Sequence, residues 1–181
     1  MTLEAWGKLA QKIRVPAGTL LGVVFLFLMH PSRRSLWIGG AVTLAGALMR
    51  VWAAGHIEKG RVLAQGGPYA LTRNPLYFGS FLMALGILLG GQGYWLLFPF
   101  FLFFIAFYFP VMKAEERELL QGHGDSFLGY ARRVPLFIPN LGVGKGTPSR
   151  FLWSRVIRNR EHRNLAGLAV AELFLIAKWL L

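Results

Sequence analysis

Two clusters of polar residues interrupt an otherwise apolar chain, and their residue types are those that bind and react with small molecules. The first cluster is Leu63–Gly79, LAQGGPYALTRNPLYFG, which combines turn-forming glycine and proline with tyrosine, arginine and asparagine. The second begins at Glu115-Glu116 and ends at Arg132-Arg133. Either cluster needs a scaffold that holds its side chains in place, and the apolar segments around them must supply it.

The first cluster can form a rigid loop that attracts an anion. The glycine–proline sequence at 66–68 permits a tight turn with close backbone approach. A helix is expected to begin near Pro75, with Thr72 and Asn74 as candidate caps. The free N–H groups of such a helix start, with Arg73 beside them, favour negative charge. A capped helix start with interfacial side chains explains the same residues without a ligand, so both interpretations stay open.

The second cluster places carboxylates where a membrane helix would leave the bilayer. Adjacent Glu115 and Glu116 point about 100° apart on a helix, so at least one of them can face inward. An inward carboxylate suits a cationic ligand or a ribose diol. The alternative is a pair of solvated carboxylates that Lys113 and Arg117 neutralise.

The composition indicates that the scaffold is an integral membrane protein. Of the 181 residues 55% are hydrophobic and 15% charged, whereas about a quarter of a typical soluble domain is charged. The 20 Lys and Arg outnumber 8 Asp and Glu, but the long uncharged runs argue against nucleic-acid binding. The excess positive charge suits cytoplasmic loops and anionic lipid headgroups. With no Cys and four scattered His, no metal site is predicted.

Five apolar segments approach the length needed to cross a bilayer as helices. They are Val15–Met29, Ser35–Ala54, Leu76–Gly91, Tyr94–Met112 and Leu165–Leu181. The third and fourth are separated only by Gln92-Gly93 and should form a helical hairpin. The chain is therefore predicted to be an all-α integral membrane helical bundle, with about five transmembrane helices plus interfacial amphipathic helices.

The distribution of Lys and Arg predicts the orientation of these spans. Residues 1–14, 55–75 and 113–164 together carry sixteen, whereas the 30–34 loop and the hairpin loop together carry two. The polar loop and the paired glutamates are therefore expected on the same, cytoplasmic side, where a single site can use both. A compact chain without Cys suits a bacterial inner membrane.

The order of these motifs resembles the isoprenylcysteine carboxyl methyltransferase and phospholipid methyltransferase superfamily, whose members are integral membrane enzymes that use S-adenosylmethionine. The shared pattern is G-P-Y-x-x-x-R-[NH]-P-x-Y-x-G, an apolar hairpin, E-E, and then G-x-x-F-x-x-Y-x-x-x-V-P-x-x-x-P, over about residues 60–140. The resemblance implies methyl transfer to a lipophilic small molecule, such as a prenyl-cysteine-like carboxylate, a phospholipid amine or another small lipid. Membrane lipids, and not nucleic acid, are the implied surroundings.

The resemblance also implies roles for particular residues. It implies a cofactor pocket formed by Gly67, Pro68, Tyr69, Arg73, Asn74, Pro75, Tyr77, Glu115, Glu116, Tyr130 and Pro135. It implies catalytic contacts, which orient the substrate or hold its carboxylate or phosphate, from Glu115, Glu116, Arg132 and Arg133. Asn74 stands where many relatives have His, so no general base is assigned there.

With this resemblance the chain divides into three parts. Residues 1–14 form an interfacial N-terminal helix, and residues 15–140 form the membrane methyltransferase core with a cytoplasmic cofactor site. Residues 141–181 contain a flexible linker at Gly142–Pro148, a basic interfacial helix and an extra span. That span can pack beside the core, gate lipid entry or mediate assembly, and its Lys178 is expected to snorkel.

Two other functions fit parts of the pattern. Membrane reductases of the sterol-reductase type share a similar R-H-P-x-Y and V-P pattern but use NADPH. A non-enzymatic membrane protein can also retain the fold for transport or assembly. The sequence leaves open the methyl acceptor, the general base and the oligomeric state.

Overall fold

Seven α-helices make up most of the computed structural model, which describes residues 3–58, 62–142 and 146–181. They are α1 (Leu3–Leu28), α2 (Arg33–His56), α3 (Pro75–Gly90), α4 (Leu97–Phe103), α5 (Phe109–Arg133), α6 (Trp153–Arg158) and α7 (Glu161–Leu180). Short 3₁₀-helices cover Gly67–Ala70 and Tyr94–Leu96, and a π-helical turn at Phe104–Tyr108 joins α4 to α5. No strand occurs in the described ranges, and the predicted all-α class is confirmed.

Three helical segments are long and apolar enough to cross a membrane: Leu9–Leu28, Arg33–His56 and Tyr94–Arg133. They correspond to the first, second and fourth predicted spans. The third is the shorter apolar helix α3, with 16 residues. The fifth lies in α7, which begins at Glu161 and carries several charges. The helical membrane bundle is therefore confirmed, while crossing by α3 and α7 stays a prediction.

The first helix continues without a break across the boundary predicted at residue 14, and Pro16 lies inside it. The N-terminal part of α1 packs against the π-helical turn between α4 and α5. The Trp6 Nε1 donates a hydrogen bond to Ala106 O at 2.8 Å, and its ring lies 5.5 Å from that of Phe107. The segment before residue 14 is therefore the start of α1 rather than a separate interfacial helix.

Helices α2 and α3 approach each other closely along a seam of glycines. A Cβ added at Gly86 would lie 2.5 Å from Thr43 N and 2.7 Å from Gly39 O. A Cβ added at Gly46 would lie 2.7 Å from Gly79 O. Small residues at such positions let two helix backbones pack closely in membrane proteins. The seam fixes α3, and with it the loop that leads into α3, against α2.

A buried ion pair attaches α7 to α2 and α3. Arg50 of α2 donates from Nε to Glu161 Oε1 at 2.5 Å and from Nη2 to Oε2 at 2.9 Å. Its Nη1 donates to Leu76 O at 3.2 Å and to Ser80 Oγ. The Glu161 side chain is 2% exposed, so loss of either partner would leave a buried charge uncompensated. Of the three roles open to the C-terminal helix, this contact supports packing beside the core.

The far end of α7 is attached to the end of α1. Lys178 Nζ donates to the carbonyls of Leu26, Phe27 and Met29 at 3.3, 2.9 and 2.5 Å. The last carbonyls of a helix lack partners within the helix and attract cations. The prediction that Lys178 simply snorkels is wrong, because this cation binds the C-terminal end of α1.

Parts of the predicted loops lie outside the described residues. These are residues 143–145 of the linker and residues 59–61, which include Lys59 and Arg61 of the charge count.

The predicted basic interfacial helix begins as α6, which has six residues. Trp153 and Ile157 on α6 are 66% and 67% exposed, as expected for side chains that enter a lipid surface.

We expect Gly86→Ala to lower the thermal stability of the purified protein, because one added methyl group would collide with the α2 backbone. Overpacking of this kind costs about 1–3 kcal/mol. Gly40→Ala is the matched control on α2, since nothing lies within 4 Å of its added Cβ. It should hold or raise stability, as Ala is the better helix former. The check is to heat the solubilised variants and to measure the fraction that stays monodisperse. Equal thermal midpoints for Gly86→Ala and Gly40→Ala would contradict the close packing of α2 against α3.

Candidate active site

The polar loop is fastened to the extended segment that follows α5. The backbone N–H of Arg73 donates to Pro135 O at 2.9 Å. Thr72 is fully buried and donates from Oγ1 to Phe137 O at 2.9 Å. These bonds satisfy groups that burial would otherwise leave unpaired, and they hold the loop against residues 134–140.

The glycine–proline turn forms as predicted, whereas the two candidate helix caps, Thr72 and Asn74, behave differently. Gly67 has a φ of +58°, and a Cβ there would lie 2.6 Å from the His56 ring, so glycine is required. Asn74 occupies the N-cap position of α3 without a side-chain cap. Its Nδ2 instead donates to Leu136 O at 3.0 Å, and the Thr72 hydroxyl also bonds to this segment. The prediction of a cap from the Asn74 side chain is wrong, because the neighbouring segment offers a carbonyl acceptor. The Thr72 hydroxyl does contact the helix start, since it accepts a hydrogen bond from the backbone N–H of Asn74 at 3.3 Å.

Two side-chain contacts join the start of α3 to the paired glutamates of α5. The Tyr77 hydroxyl donates to Glu115 Oε1 at 2.5 Å. Arg73 forms an ion pair with Glu116, whose other oxygen accepts a hydrogen bond from Lys113 Nζ at 2.8 Å. The Arg73 and Glu116 side chains are 15% and 13% exposed, so water screens their charges little. The structure therefore brings the two sequence clusters together.

A break in α5 turns Tyr130 towards the same region. Gly124 has a φ of +50° and a ψ of −127°, and it divides α5 into 109–123 and 125–133. This positive φ is readily adopted only by glycine. Beyond the break, the Tyr130 hydroxyl donates to Tyr69 O at 2.7 Å in a buried contact.

These elements line an open cavity of about 1210 Å³. Its polar part is lined by Tyr69, Arg73, Asn74, Pro75, Tyr77, Glu115, Glu116, His123 and Tyr130. Its apolar part is lined by Gly18, Leu21, Gly22, Phe25, Ala84, Ile87, Phe100, Phe103 and Phe104. Ligand pockets usually measure about 300–1,000 Å³, so this cavity has room for a polar and an apolar ligand together.

Three buried polar atoms beside the cavity have no hydrogen bond among the residues that the structure describes: the Tyr69 hydroxyl, Arg73 Nε and Glu116 Oε1. The last lies against Arg73 Nη1 as an ion pair without hydrogen-bond geometry. Burial raises the pKa of Tyr69, and the nearby Tyr130 and Glu115 raise it further, so the phenol stays protonated and can donate. Each unsatisfied buried group costs about 1–3 kcal/mol, and a polar ligand would supply the missing partners.

Five of the predicted site residues lie outside the cavity lining: Gly67, Pro68, Arg132, Arg133 and Pro135. The first two form the turn before Tyr69, and the proline carbonyl accepts the hydrogen bond from the Arg73 backbone. The two arginines are exposed in the last turn of α5. We therefore assign no catalytic role to these arginines.

The sequence signals two further cavity residues only weakly. Arg14 and Arg50 both line the cavity, yet the first resembles a flanking cytoplasmic charge and the second a lone charge within a span. An ionisable residue within a span is itself a sign of function. The partner of Arg50, Glu161, lies 111 residues further along the chain, and no spacing rule connects them.

Comparison with known proteins identifies relatives of this chain. It is 30% identical over 182 aligned residues to the nickel-cobalt-cadmium resistance protein NccN of Alcaligenes xylosoxydans xylosoxydans, covering 89% of this chain and 83% of the relative. It is 34% identical over 99 residues to the cobalt-zinc-cadmium resistance protein CzcN of Cupriavidus metallidurans, covering 54% and 45%. It is 30% identical over 143 residues to the protein-S-isoprenylcysteine O-methyltransferase of Schizosaccharomyces pombe, covering 75% and 59%. No solved structure matches the chain.

Two of these relatives are named for resistance to metals, and that property is stated of those proteins only. In the part of this chain that the structure describes, no group of three or more metal-ligating side chains comes together. A family model, that of the phospholipid methyltransferases, matches residues 16–126. That range exceeds half of the chain and contains the polar loop and both paired glutamates. The chain therefore belongs to the phospholipid methyltransferase family.

Proposed function

We propose that the protein is an integral membrane methyltransferase that moves a methyl group from S-adenosylmethionine to a lipophilic acceptor. The observation that carries this proposal is the meeting of Arg73 and Tyr77 with Glu115 and Glu116 on the wall of one large cavity. Membership of the phospholipid methyltransferase family supports the reaction class. The similarity to an isoprenylcysteine O-methyltransferase supports it as well.

The side chains in the polar part of the cavity suit S-adenosylmethionine in charge and in hydrogen bonding. This cofactor carries a sulfonium, an ammonium group, a carboxylate and a ribose diol. Glu115 and Glu116 can accept hydrogen bonds from the ammonium group and the diol, and they favour the positive sulfur. Arg73 and the Tyr69 hydroxyl can donate to the carboxylate. The Tyr69 hydroxyl and Arg73 Nε have no hydrogen bond within the described structure, so these two atoms can bind such a ligand.

The cofactor would supply a methyl group on a positively charged sulfur. In the transfer, the acceptor forms a bond to the methyl carbon. The bond between that carbon and sulfur breaks, and its electron pair stays on sulfur. Such an in-line displacement requires no metal. The chain contributes chiefly by orienting the acceptor and excluding water. Phe103, Phe104 and Tyr108 line the cavity and keep it apolar. A carboxylate acceptor would need no base, whereas an ammonium acceptor must first lose a proton, for which Glu115 lies at the cavity wall.

The water-soluble cofactor would enter from the cytoplasm and the acceptor from the bilayer. The distribution of Lys and Arg supports a cytoplasmic position for the polar end. Only 6% of the apolar stretch of Leu9–Leu28 is buried, so lipid can reach the helix that forms one wall of the cavity. The proposed location is a bacterial inner membrane, in keeping with the compact chain without Cys.

Calorimetric titration of the purified protein with S-adenosylhomocysteine and with NADPH tests the reaction class. Saturable binding of S-adenosylhomocysteine alone is expected, because the cavity offers carboxylates and a phenol hydroxyl to a nucleoside that carries an amino acid. Binding of NADPH alone would contradict the proposal in favour of a membrane reductase. Binding of neither would contradict it in favour of a non-enzymatic role.

Tyr69→Phe should weaken binding of S-adenosylhomocysteine by roughly 5- to 30-fold, the equivalent of about 1–2 kcal/mol for one hydrogen bond. It should not lower the thermal midpoint, because this hydroxyl has no partner within the described structure. Calorimetry and a thermal melt measure the two effects separately.

Tyr94→Phe is the matched control, since Tyr94 is 57% exposed at the hairpin turn. It should change neither the affinity nor the midpoint. A Tyr69→Phe variant that binds as tightly as wild type but melts earlier would show that the hydroxyl has a structural role instead.

Changing both Glu115 and Glu116 to Gln should reduce methyl transfer by about tenfold or more, because hydrogen bonds to charged groups contribute about 1.5–3 kcal/mol. Incorporation of the labelled methyl group from S-adenosylmethionine into a total lipid extract measures the loss. Asp125→Asn removes an exposed carboxylate from the same helix and should leave the rate unchanged. Full transfer by the double variant would refute the assigned role.

A further inference from the structure

Arg14 is a cation on the cavity wall that the proposed binding of the cofactor leaves without a role. Two other arginines among the described lining residues, Arg50 and Arg73, are each paired with a glutamate. In the described part of the chain Arg14 makes no ion pair. Its hydrogen bond there runs from Nη1 to the Tyr77 hydroxyl at 2.5 Å. A guanidinium has five N–H donors, so most of those on Arg14 are available to a ligand or to water.

Two tyrosines fix the position of the Arg14 guanidinium. Its Cζ lies 5.0 Å from the ring centre of Tyr77 and 5.9 Å from that of Tyr108. The two rings pack edge to face, with their centres 5.7 Å apart. Cation–π contacts compensate in part for the hydration that a partly buried cation loses. Together with the one hydrogen bond to Tyr77 they hold the guanidinium in place, and its remaining N–H groups can donate to an oxyanion.

Arg14 also stands at the end of an apolar stripe along α1. Gly18, Leu21, Gly22 and Phe25 follow it at helical spacing and line the same cavity. The distance along the axis from residue 14 to residue 25 is about 16 Å, at about 1.5 Å per residue. A molecule whose apolar tail lies along this stripe would place its head group at Arg14, beside Tyr77 and the polar part of the cavity.

We infer that Arg14 binds an anionic group, a carboxylate or a phosphate, on the lipophilic acceptor, so that the acceptor is an anionic amphiphile. The inference rests on the proposed function, whose acceptor it narrows, and it makes Arg14 a specificity-determining residue. A guanidinium recognises carboxylate and phosphate through two parallel hydrogen bonds. An amphiphile with only a cationic head would instead meet a like charge at Arg14, which is partly buried.

The test measures binding to the full chain without any methyl donor, in a neutral maltoside detergent. Dodecanoate and dodecyl phosphate are the anionic probes, dodecylamine is the cationic one, and acetate and inorganic phosphate are the head groups alone. Both anionic amphiphiles should raise the thermal midpoint saturably, and the other three probes should not. Equal protection by free phosphate or acetate, or by dodecylamine, would overturn the inference.

Substitution of Arg14 assigns the binding to this residue. Arg14→Gln removes the charge but keeps a donor for Tyr77, and it should weaken binding of dodecanoate and dodecyl phosphate at least tenfold. Arg14→Lys keeps the charge without the planar fork and should lose less. Arg34→Gln, at an exposed position near the start of α2, is the matched control and should bind as wild type does. Wild-type affinity in Arg14→Gln would overturn the inference.

A titration with S-adenosylhomocysteine separates this inference from the proposed function. Arg14→Gln should bind it with wild-type affinity, which also shows that the variant is folded. If the variant loses S-adenosylhomocysteine but keeps the anionic amphiphiles, Arg14 belongs to the cofactor site and the inference is overturned while the proposed function stands. If the wild-type protein binds the amphiphiles through Arg14 but not S-adenosylhomocysteine, the anionic site stands and the proposed methyltransferase reaction is overturned.

Discussion

Charges in the poorly solvated interior of this bundle need partners, and two ion pairs determine which helices can lie together. Arg73 with Glu116 joins the polar loop to α5, and Arg50 with Glu161 joins α2 to α7. Removing one partner of a buried pair typically costs about 3–5 kcal/mol, which applies best to Arg50 and Glu161, whose carboxylate is 2% exposed. Each pair therefore favours one arrangement of its helices over others that would bury the same apolar surface. The cavity lies between the elements that these pairs connect.

Helix α3 lines both the polar and the apolar part of that cavity. The glycine seam holds it against α2, so its position is set before any ligand binds. Its first turns present Tyr77 to the paired glutamates, and later turns present Ala84 and Ile87 to the apolar part. A polar donor and an apolar acceptor can thus meet along a single rigid element, which is the arrangement that transfer by displacement requires.

The sequence predicts the features that depend on neighbouring residues and misses those that depend on distant ones. Apolar runs predict the helices, and glycine with proline predicts the turn at 66–68. The order of motifs and the charge distribution predict that the loop and the paired glutamates face each other. The bond made by the Asn74 side chain is missed, because its acceptor Leu136 O lies 62 residues away. The role of Lys178 is missed for the same reason, since its acceptors lie 149 to 152 residues earlier in α1.

Where the cofactor binds can be measured directly by ultraviolet crosslinking of labelled S-adenosylmethionine to the purified protein, followed by proteolysis and peptide mapping. Label is expected in peptides from residues 62–79 and 108–130, which carry the polar part of the cavity lining. An excess of unlabelled S-adenosylhomocysteine should abolish it. Label confined to residues 146–163, or label that the competitor leaves undiminished, would contradict a cofactor site between the polar loop and the paired glutamates.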